Sequence, residues 1–312
     1  MSHDYAVPVI SVVIPVKNGG DGLARCLDGI RSQQTAEAVE IVVVDSGSTD
    51  GSLGVARARA ALVHELPAHA FSHGASRNLG ASRARGELLV FLSQDAVPVD
   101  DRWLSRLRAA FDRQPELAGV YGRQLANDGA TPPEQYFLGF LYGATPRTQR
   151  AGTLHQLSMD TTLFSNVNSA IPRGIWERFP FAQDIIMSED QEWSRRVLLE
   201  GYTIAYEPAA AVRHSHNYTV LGAFRRFFDS GASSDRAYMA GRQHSSRVLR
   251  RAAARYALGE LAWLWRTGRR RWVPYAGVYE SAKLLGLLCG ARHERIPLAL
   301  KRRLSAMPAY WG

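Results

Sequence analysis

The sequence predicts an α/β domain followed by a basic helical extension. Three observations lead there. Short β-branched runs alternate with amphipathic stretches over residues 10–92. Hydrophobic residues make up 46% of the 312 positions, ample for a large core. The charge is uneven: the formal net charge is +9, yet residues 241–312 hold 15 Lys/Arg against 3 Asp/Glu. The basic character therefore belongs to the C-terminal segment, and the remainder is slightly acidic.

Each element has its own signal. ISVVIPV (10–16) is a continuous apolar run, as expected of a strand covered on both faces. Residues 20–33 place Leu23, Cys26, Leu27 and Ile30 at helical spacing. VEIVVVD (39–45) is a second strand, followed by a turn over 46–50 and a helix over 51–60 with Asp50 as its N-cap. ALVHE (61–65), a helix over 75–84 and ELLVFL (87–92) continue the alternation, which predicts a parallel sheet flanked by helices. The stretch 101–112 is a helix, with Asp100 and Asp101 as cap and first turn.

Beyond 113 the pattern loosens. AGVYGRQL (118–125) reads as a strand, and 163–179 as a strand plus a helix begun near Pro172. EDQEWSRRVLLEGY (189–202) is a helix with Trp193, Val197 and Leu198 on one face. TIAYEPAAAVRHSH (203–216) reads as a strand, a turn and a second short strand. Everything after 220 reads as helix, so the expected division is a domain over 1–220 and an extension over 221–312.

Composition narrows the class. Two cysteines, Cys26 and Cys289, lie far apart in helical segments, which argues against a disulfide framework or zinc cluster and for a reducing compartment. MSHDYAVPV lacks the basic and apolar regions of a leader. No uncharged stretch approaches the ~18 residues of a membrane span. The expected location is the cytoplasm.

Two acids stand out. Asp45 and Asp95 each follow a buried strand, at the sheet end where ligands bind in open α/β folds. Neither Gly-rich phosphate motif follows a strand. Glu189 and Asp190 open a helix, and His214 and His216 end a strand. A carboxylate with an imidazole, completed by diphosphate oxygens and water, suits Mn²⁺ or Mg²⁺ better than zinc.

SVVIPVKN, IVVVDSGSTDGS, HGASRNLGASRARGELLVFLSQDA and the EDQEW helix start occur in that order within residues 10–216. With them the chain resembles the family 2 glycosyltransferases, inverting enzymes of the GT-A fold. That fold is a Rossmann-like mixed sheet flanked by helices. SQDA, HSHNYT and IPLALKRRLSAMPAYW are similar to the bacterial rhamnosyltransferase branch. The resemblance divides the domain into a nucleotide-sugar half (1–125) and an acceptor half (126–220). It implies roles residue by residue. Asp45 contacts the base, and Pro15 and Lys17 shape the nucleotide pocket. Arg77 and Gln94 lie at the donor. Asp95 holds the metal on the donor diphosphate, with His214 or His216. Asp190 is the catalytic base, and Glu189 and Trp193 fall on the acceptor side. Two departures matter. Ser93 stands at the first acid of the DxD motif, leaving one carboxylate, and the QxxRW motif of processive synthases is absent. The expected reaction is transfer of one or a few sugars, L-rhamnose from dTDP-rhamnose, to a polyprenyl-linked or saccharide acceptor. The alternatives are a UDP-sugar donor and a non-catalytic membrane-associated assembly subunit.

FRRFF, LAWLWRTGRRRW and LALKRRL interleave Arg with aromatic and aliphatic residues. The expectation for 221–312 is contact with an anionic membrane surface, rather than packing on the domain with solvated faces. No nucleic-acid motif is present, so nucleic acid is not an expected partner. The sequence leaves an oligomer open.

Overall fold

Parallel pairing organises the N-terminal half. Strands β1 (Val9–Val16), β2 (Ala38–Asp45), β3 (Leu62–Glu65) and β4 (Leu88–Leu92) are separated by helices α1 (Gly20–Arg31), α2 (Ser52–Arg59) and α3 (His73–Arg83). A two-residue β5 (Val97–Pro98), α4 (Trp103–Arg113), β6 (Leu117–Leu125), α5 (Pro132–Leu141), β7 (Arg147–Gln149), β8 (Asn168–Pro172), α6 (Arg173–Arg178), α7 (Glu189–Leu199) and β9 (Thr203–Arg213) follow. Helices α8 (Val220–Ser234), α9 (Ser246–Arg266), α10 (Val273–Gly290) and α11 (Leu298–Leu304) close the chain. The computed structural model describes residues 9–60, 62–239 and 246–312, so the stretch read for a leader and residue 61 lie outside them.

The nine strands of the described residues form one mixed sheet, ordered β3-β2-β1-β4-β8-β6-β9-β5, with β7 on β9. Strands β1 to β4 pair in parallel, and the direction reverses at β4–β8. The purely parallel sheet implied by the early alternation therefore ends at β4.

The apolar runs are explained by two cores. Successive side chains of a strand point to opposite faces. Ile10, Val12 and Ile14 meet Leu23, Leu27 and Ile30 of α1 on one side. Val13, Val42, Leu89 and Phe91 join Ala81, Phe164 and Trp193 on the other. Each central strand is buried twice, so none alternates with polar residues.

Three local expectations change. The two short strands expected over 203–216 are one strand, β9, with an irregularity. Glu207 pairs with Gly122 and Ala211 with Arg123, so 208–210 bulge out. The buried Asn168 amide donates to the Ala210 carbonyl at 2.8 Å and holds the bulge. Helix α4 starts later, with Arg102 at its N-cap. Asp100 instead accepts from the Arg102 main chain and the Arg106 guanidinium. Gly51, at φ 86°, takes the N-cap of α2, while Asp50 accepts from the Ser52 main chain at 3.0 Å.

The extension packs tightly on one side. A side chain at Gly286 or Gly290 of α10 would strike the Phe224 or Phe228 carbonyl of α8. Asp229 of α8 accepts from the main chains of Ala306 and Met307, pinning the C-terminal segment. Among the described residues no helix is long and apolar enough to cross a membrane.

Candidate active site

The ends of β1, β2 and β4 feed three loops that are tied together. Asn18, at φ 50°, donates its main-chain N–H to Ser48 and accepts from the Thr49 N–H. Gln94 accepts from the Lys17 N–H at 2.9 Å and donates to the Lys17 carbonyl at 3.2 Å. Gln94 therefore holds the loop together with its whole carboxamide. Pro15 is half-buried opposite Val44 in the β1–β2 ladder, and the Lys17 side chain is exposed beside that floor.

Asp45 is 2% exposed. Its Oδ2 accepts from the main chains of Gly47 and Ser48 at 3.0 Å each, and its Oδ1 has no partner. A buried, unpartnered carboxylate oxygen is costly unless a ligand supplies a donor. A nucleoside base with N–H groups meets that need.

Asp95 follows β4 in a turn, and His214 and His216 follow β9. The structure brings the three together. Asp95 Oδ1 lies 3.6 Å from His214 Nε2, and Oδ2 lies 3.6 Å from His216 Nε2. The two Nε2 atoms are 3.0 Å apart. The three ligand atoms all lie within 4.8 Å of one another, close enough for one small divalent cation. Burial pushes His214 down to about 4, against the opposing pull of Asp95. Its ring is thus neutral near pH 7, the form a metal requires. A carboxylate suits Mg²⁺ or Mn²⁺, and imidazoles suit transition ions, so the donor set fits Mn²⁺ better than Mg²⁺. His216 is also fixed from behind: its main-chain N–H bonds Glu134 of α5.

Glu189 and Asp190 occupy the first turn of α7 and behave oppositely. Glu189 is buried and pairs with Arg77 at 2.7 Å. Burial would raise its pKa, but Arg77 and then His73 hold it below the usual carboxylate range. Asp190 is half-buried and pushed up to about 7, first by burial and then by the Glu189 charge. Adjacent acids whose environments push their pKa values apart are a pattern that acid–base sites use. The Asn166 N–H reaches Asp190 Oδ2 at 3.1 Å, and the Gln191 N–H reaches Oδ1 at 2.8 Å.

Three expected contacts are corrected. Arg77 is 7% exposed and neutralised by Glu189, so it sets the charge of that acid rather than reaching donor phosphates. Glu189 is spent on the same pair and is not offered to an acceptor. Trp193 is fully buried, its ring 4.7 Å from Phe164, and is a core residue. His73 is pushed down to about 4 chiefly by burial. Asn78 binds both the N–H and the carbonyl of Phe181 and so anchors the chain leading to α7.

Sequence reasoning missed the hub that assembles these parts. Ser165 accepts from Gln124, whose Oε1 faces His214 Nδ1 at 3.1 Å. Asn166 holds Asp190. Val167 accepts the Ser93 N–H at the start of the Asp95 turn. Three consecutive residues thus link His214, Asp190 and the turn that carries Asp95. Their only signal is that polar residues interrupt buried strands: Gln124 in AGVYGRQL, and Asn166 and Asn168 in SNVNS.

Arg226 of α8 was also missed, because FRRFF reads as a surface motif. Its charge acts on both His214 and His73, as a secondary influence behind burial. Among the described residues it makes no ion pair, only a 3.4 Å contact to Ser230.

The family model described as Glycosyl transferase family 2 matches residues 11–177. The O-antigen chain rhamnosyltransferase RfbN of Salmonella typhimurium is 30% identical over 309 residues, covering 97% of this chain and 96% of that protein. The O-antigen chain rhamnosyltransferase WbaN of Salmonella anatum is 29% identical over 311 residues, covering 98% and 96%. Among solved structures, the mannosyltransferase PcManGT from Pyrobaculum calidifontis, in complex with GDP-Man and Mn²⁺, superposes with a TM-score of 0.57 at 20% identity, covering 98% of this chain and 86% of that one. Residues 1–349 of S. aureus TarS in complex with UDP give 0.53 at 16% identity, covering 92% and 91%. At these identities the structural likeness speaks to the fold alone.

Proposed function

The chain belongs to glycosyl transferase family 2 and is a rhamnosyltransferase-like glycosyltransferase of the GT-A fold; from that premise we propose that it moves L-rhamnose, with inversion, from dTDP-rhamnose to a saccharide or polyprenyl-linked acceptor. The work is done on the cytoplasmic face of an anionic membrane. The observation that carries the reading is the hub at 165–167, which joins a raised-pKa carboxylate to the Asp95–His214–His216 cluster.

The assigned roles follow from the chemistry. Asp45 accepts hydrogen bonds from the donor's base through its unpartnered Oδ1. Asp95, His214 and His216 would hold a divalent cation, Mn²⁺ for preference, and the chemistry it would supply is Lewis-acid stabilisation of the leaving diphosphate. Asp190 takes the proton of the acceptor hydroxyl as its oxygen bonds the anomeric carbon and the carbon–diphosphate bond breaks. A single displacement inverts the anomeric centre. The transition state has oxocarbenium character, so charge develops on the departing diphosphate. Arg226, whose charge is felt at His214, would meet that charge. Near-full-length similarity to O-antigen rhamnosyltransferases supports rhamnose over a UDP-hexose.

Calorimetry of dTDP-rhamnose and UDP-glucose, with and without Mn²⁺, tests the reading on the native protein and Asp95→Ala. Selective, Mn²⁺-dependent binding of dTDP-rhamnose that Asp95→Ala abolishes is expected. Preference for UDP-glucose would replace the donor. Binding indifferent to both Mn²⁺ and Asp95→Ala would remove the metal from the mechanism.

A further inference from the structure

Helix α10 is built inside out. It runs 18 residues and carries two charged side chains, Glu280 and Lys283. Both turn inward: they bond each other at 2.9 Å with side chains 17% and 6% exposed. The Lys283 ammonium also lies over the rings of Phe137 and Phe227, at 4.2 and 5.0 Å. The inner face is completed by Ala276, Tyr279, Gly286 and Gly290 against the rest of the protein.

The opposite face is apolar and open. Val278 is 58% exposed, Leu284 40%, Leu285 56% and Leu288 36%, with Ser281 and Gly277 exposed between them. At 100° per residue these positions fall on one arc about 120° wide. Water selects the reverse arrangement, with charge outside and leucine inside. An apolar all-round helix is normally covered on every side, and nothing among the described residues covers this one.

The occupant is indicated by charge. Arg270 and Arg271 are exposed just before α10, and Arg292 and Arg295 just after it. Arg270 stacks on the exposed Trp265 at 4.3 Å, an aromatic–guanidinium pair suited to a headgroup boundary. A second copy of the chain would bring the same cations to the same rim and be repelled. A crossing helix is excluded by the inward Glu280–Lys283 pair and the close contact with α8.

We propose that the outer face of α10 lies in the plane of an anionic bilayer, with Val278, Leu284, Leu285 and Leu288 among the acyl chains and the flanking arginines on lipid phosphates. This names the surface behind the membrane placement proposed above, and rests on that placement. It also puts α8, which carries Arg226 and packs against α10, directly behind the docked helix.

Vesicle co-sedimentation tests it without donor or acceptor, so the result is independent of the glycosyltransfer reading. The native protein is expected to bind phosphatidylcholine–phosphatidylglycerol vesicles and not pure phosphatidylcholine. Leu285→Ser/Leu288→Ser and, separately, Arg270→Ala/Arg271→Ala should each weaken binding roughly tenfold or more. Both substitutions sit on exposed positions, and unchanged circular dichroism and melting temperature will show that the fold is kept. Anionic-vesicle binding that survives the leucine pair, or no vesicle binding at all, would overturn the proposal. A dimer in light scattering that the leucine pair dissociates would make this face a protein interface instead.

Discussion

The Gln124 carboxamide oxygen lies 3.1 Å from Nδ1 of His214, and that contact decides which ring nitrogen faces Asp95 and His216. Gln124 donates through Nε2 to Ser165 at 3.0 Å, so its oxygen is left to accept. His214 therefore carries its proton on Nδ1 and turns the Nε2 lone pair toward Asp95 and His216.

Replacing Gln124 should cost metal binding before it costs the fold. Gln124→Leu removes the acceptor that fixes the tautomer while filling the same space. Mn²⁺ affinity is expected to fall about 10- to 100-fold, as for other groups that orient a metal-bound histidine. Calorimetric titration of Mn²⁺ checks this. Equal affinity in both proteins would show that the tautomer is set elsewhere.

Asp190 should give opposite pH trends for activity and stability. Its carboxyl is pushed up to about 7 from an ordinary 3.8. The folded protein therefore binds this proton more tightly than the unfolded chain, and stability from this group is lost as pH rises across that window. A base must be ionised, so transfer should rise over the upper part of the same window, with its midpoint near 7. Asp190→Asn should lower kcat about 10²- to 10⁴-fold, keep donor binding and raise the melting temperature relative to the native protein at pH 8. A native rate profile flat from pH 5 to 8, on the order of one pH unit or more to either side of the expected midpoint, would contradict the assignment.

Arg226 should act on kcat and spare the fold. Its one side-chain hydrogen bond among the described residues is the weak contact to Ser230, and its charge also favours the ionised form of the buried Asp229. Arg226→Ala is expected to lower kcat about 10²- to 10³-fold, the typical cost of removing one group that stabilises developing charge. The melting temperature should fall only slightly, through the weakened support of Asp229. Arg226→Lys should recover part of the rate, since a point charge remains without the planar fork. A rise in KM at constant kcat would instead make Arg226 a ground-state binding group.

The legible parts of the fold were those with local periodicity. The runs at 10–16, 39–45 and 87–92 are buried on both faces, so their strands announced themselves. The acids ending two of them, Asp45 and Asp95, were legible for the same reason: each breaks an apolar run at the sheet end. The β9 bulge was not, because it depends on Asn168, distant in sequence, reaching the Ala210 carbonyl. Trp193 and Arg77 were misplaced on similar grounds. A residue beside a site motif and a residue beneath it look alike until packing separates them. Sequence spacing showed that Glu189 and Asp190 open a helix, but burial and Arg77, 112 residues away from Glu189, set the opposite directions of their pKa values.

The bonds joining Asn18 to Ser48 and Thr49, and Gln94 to Lys17, bear on the entropy of nucleotide capture. Fixing one residue's backbone costs about 1–2 kcal/mol. Here that cost is met when the chain folds, since the loops brace each other through their own side chains and main chain. Donor affinity can then reflect contacts alone. Loosening either brace would move the ordering cost to the moment of binding, and the enzyme would hold its donor more weakly though every group that touches it remained in place.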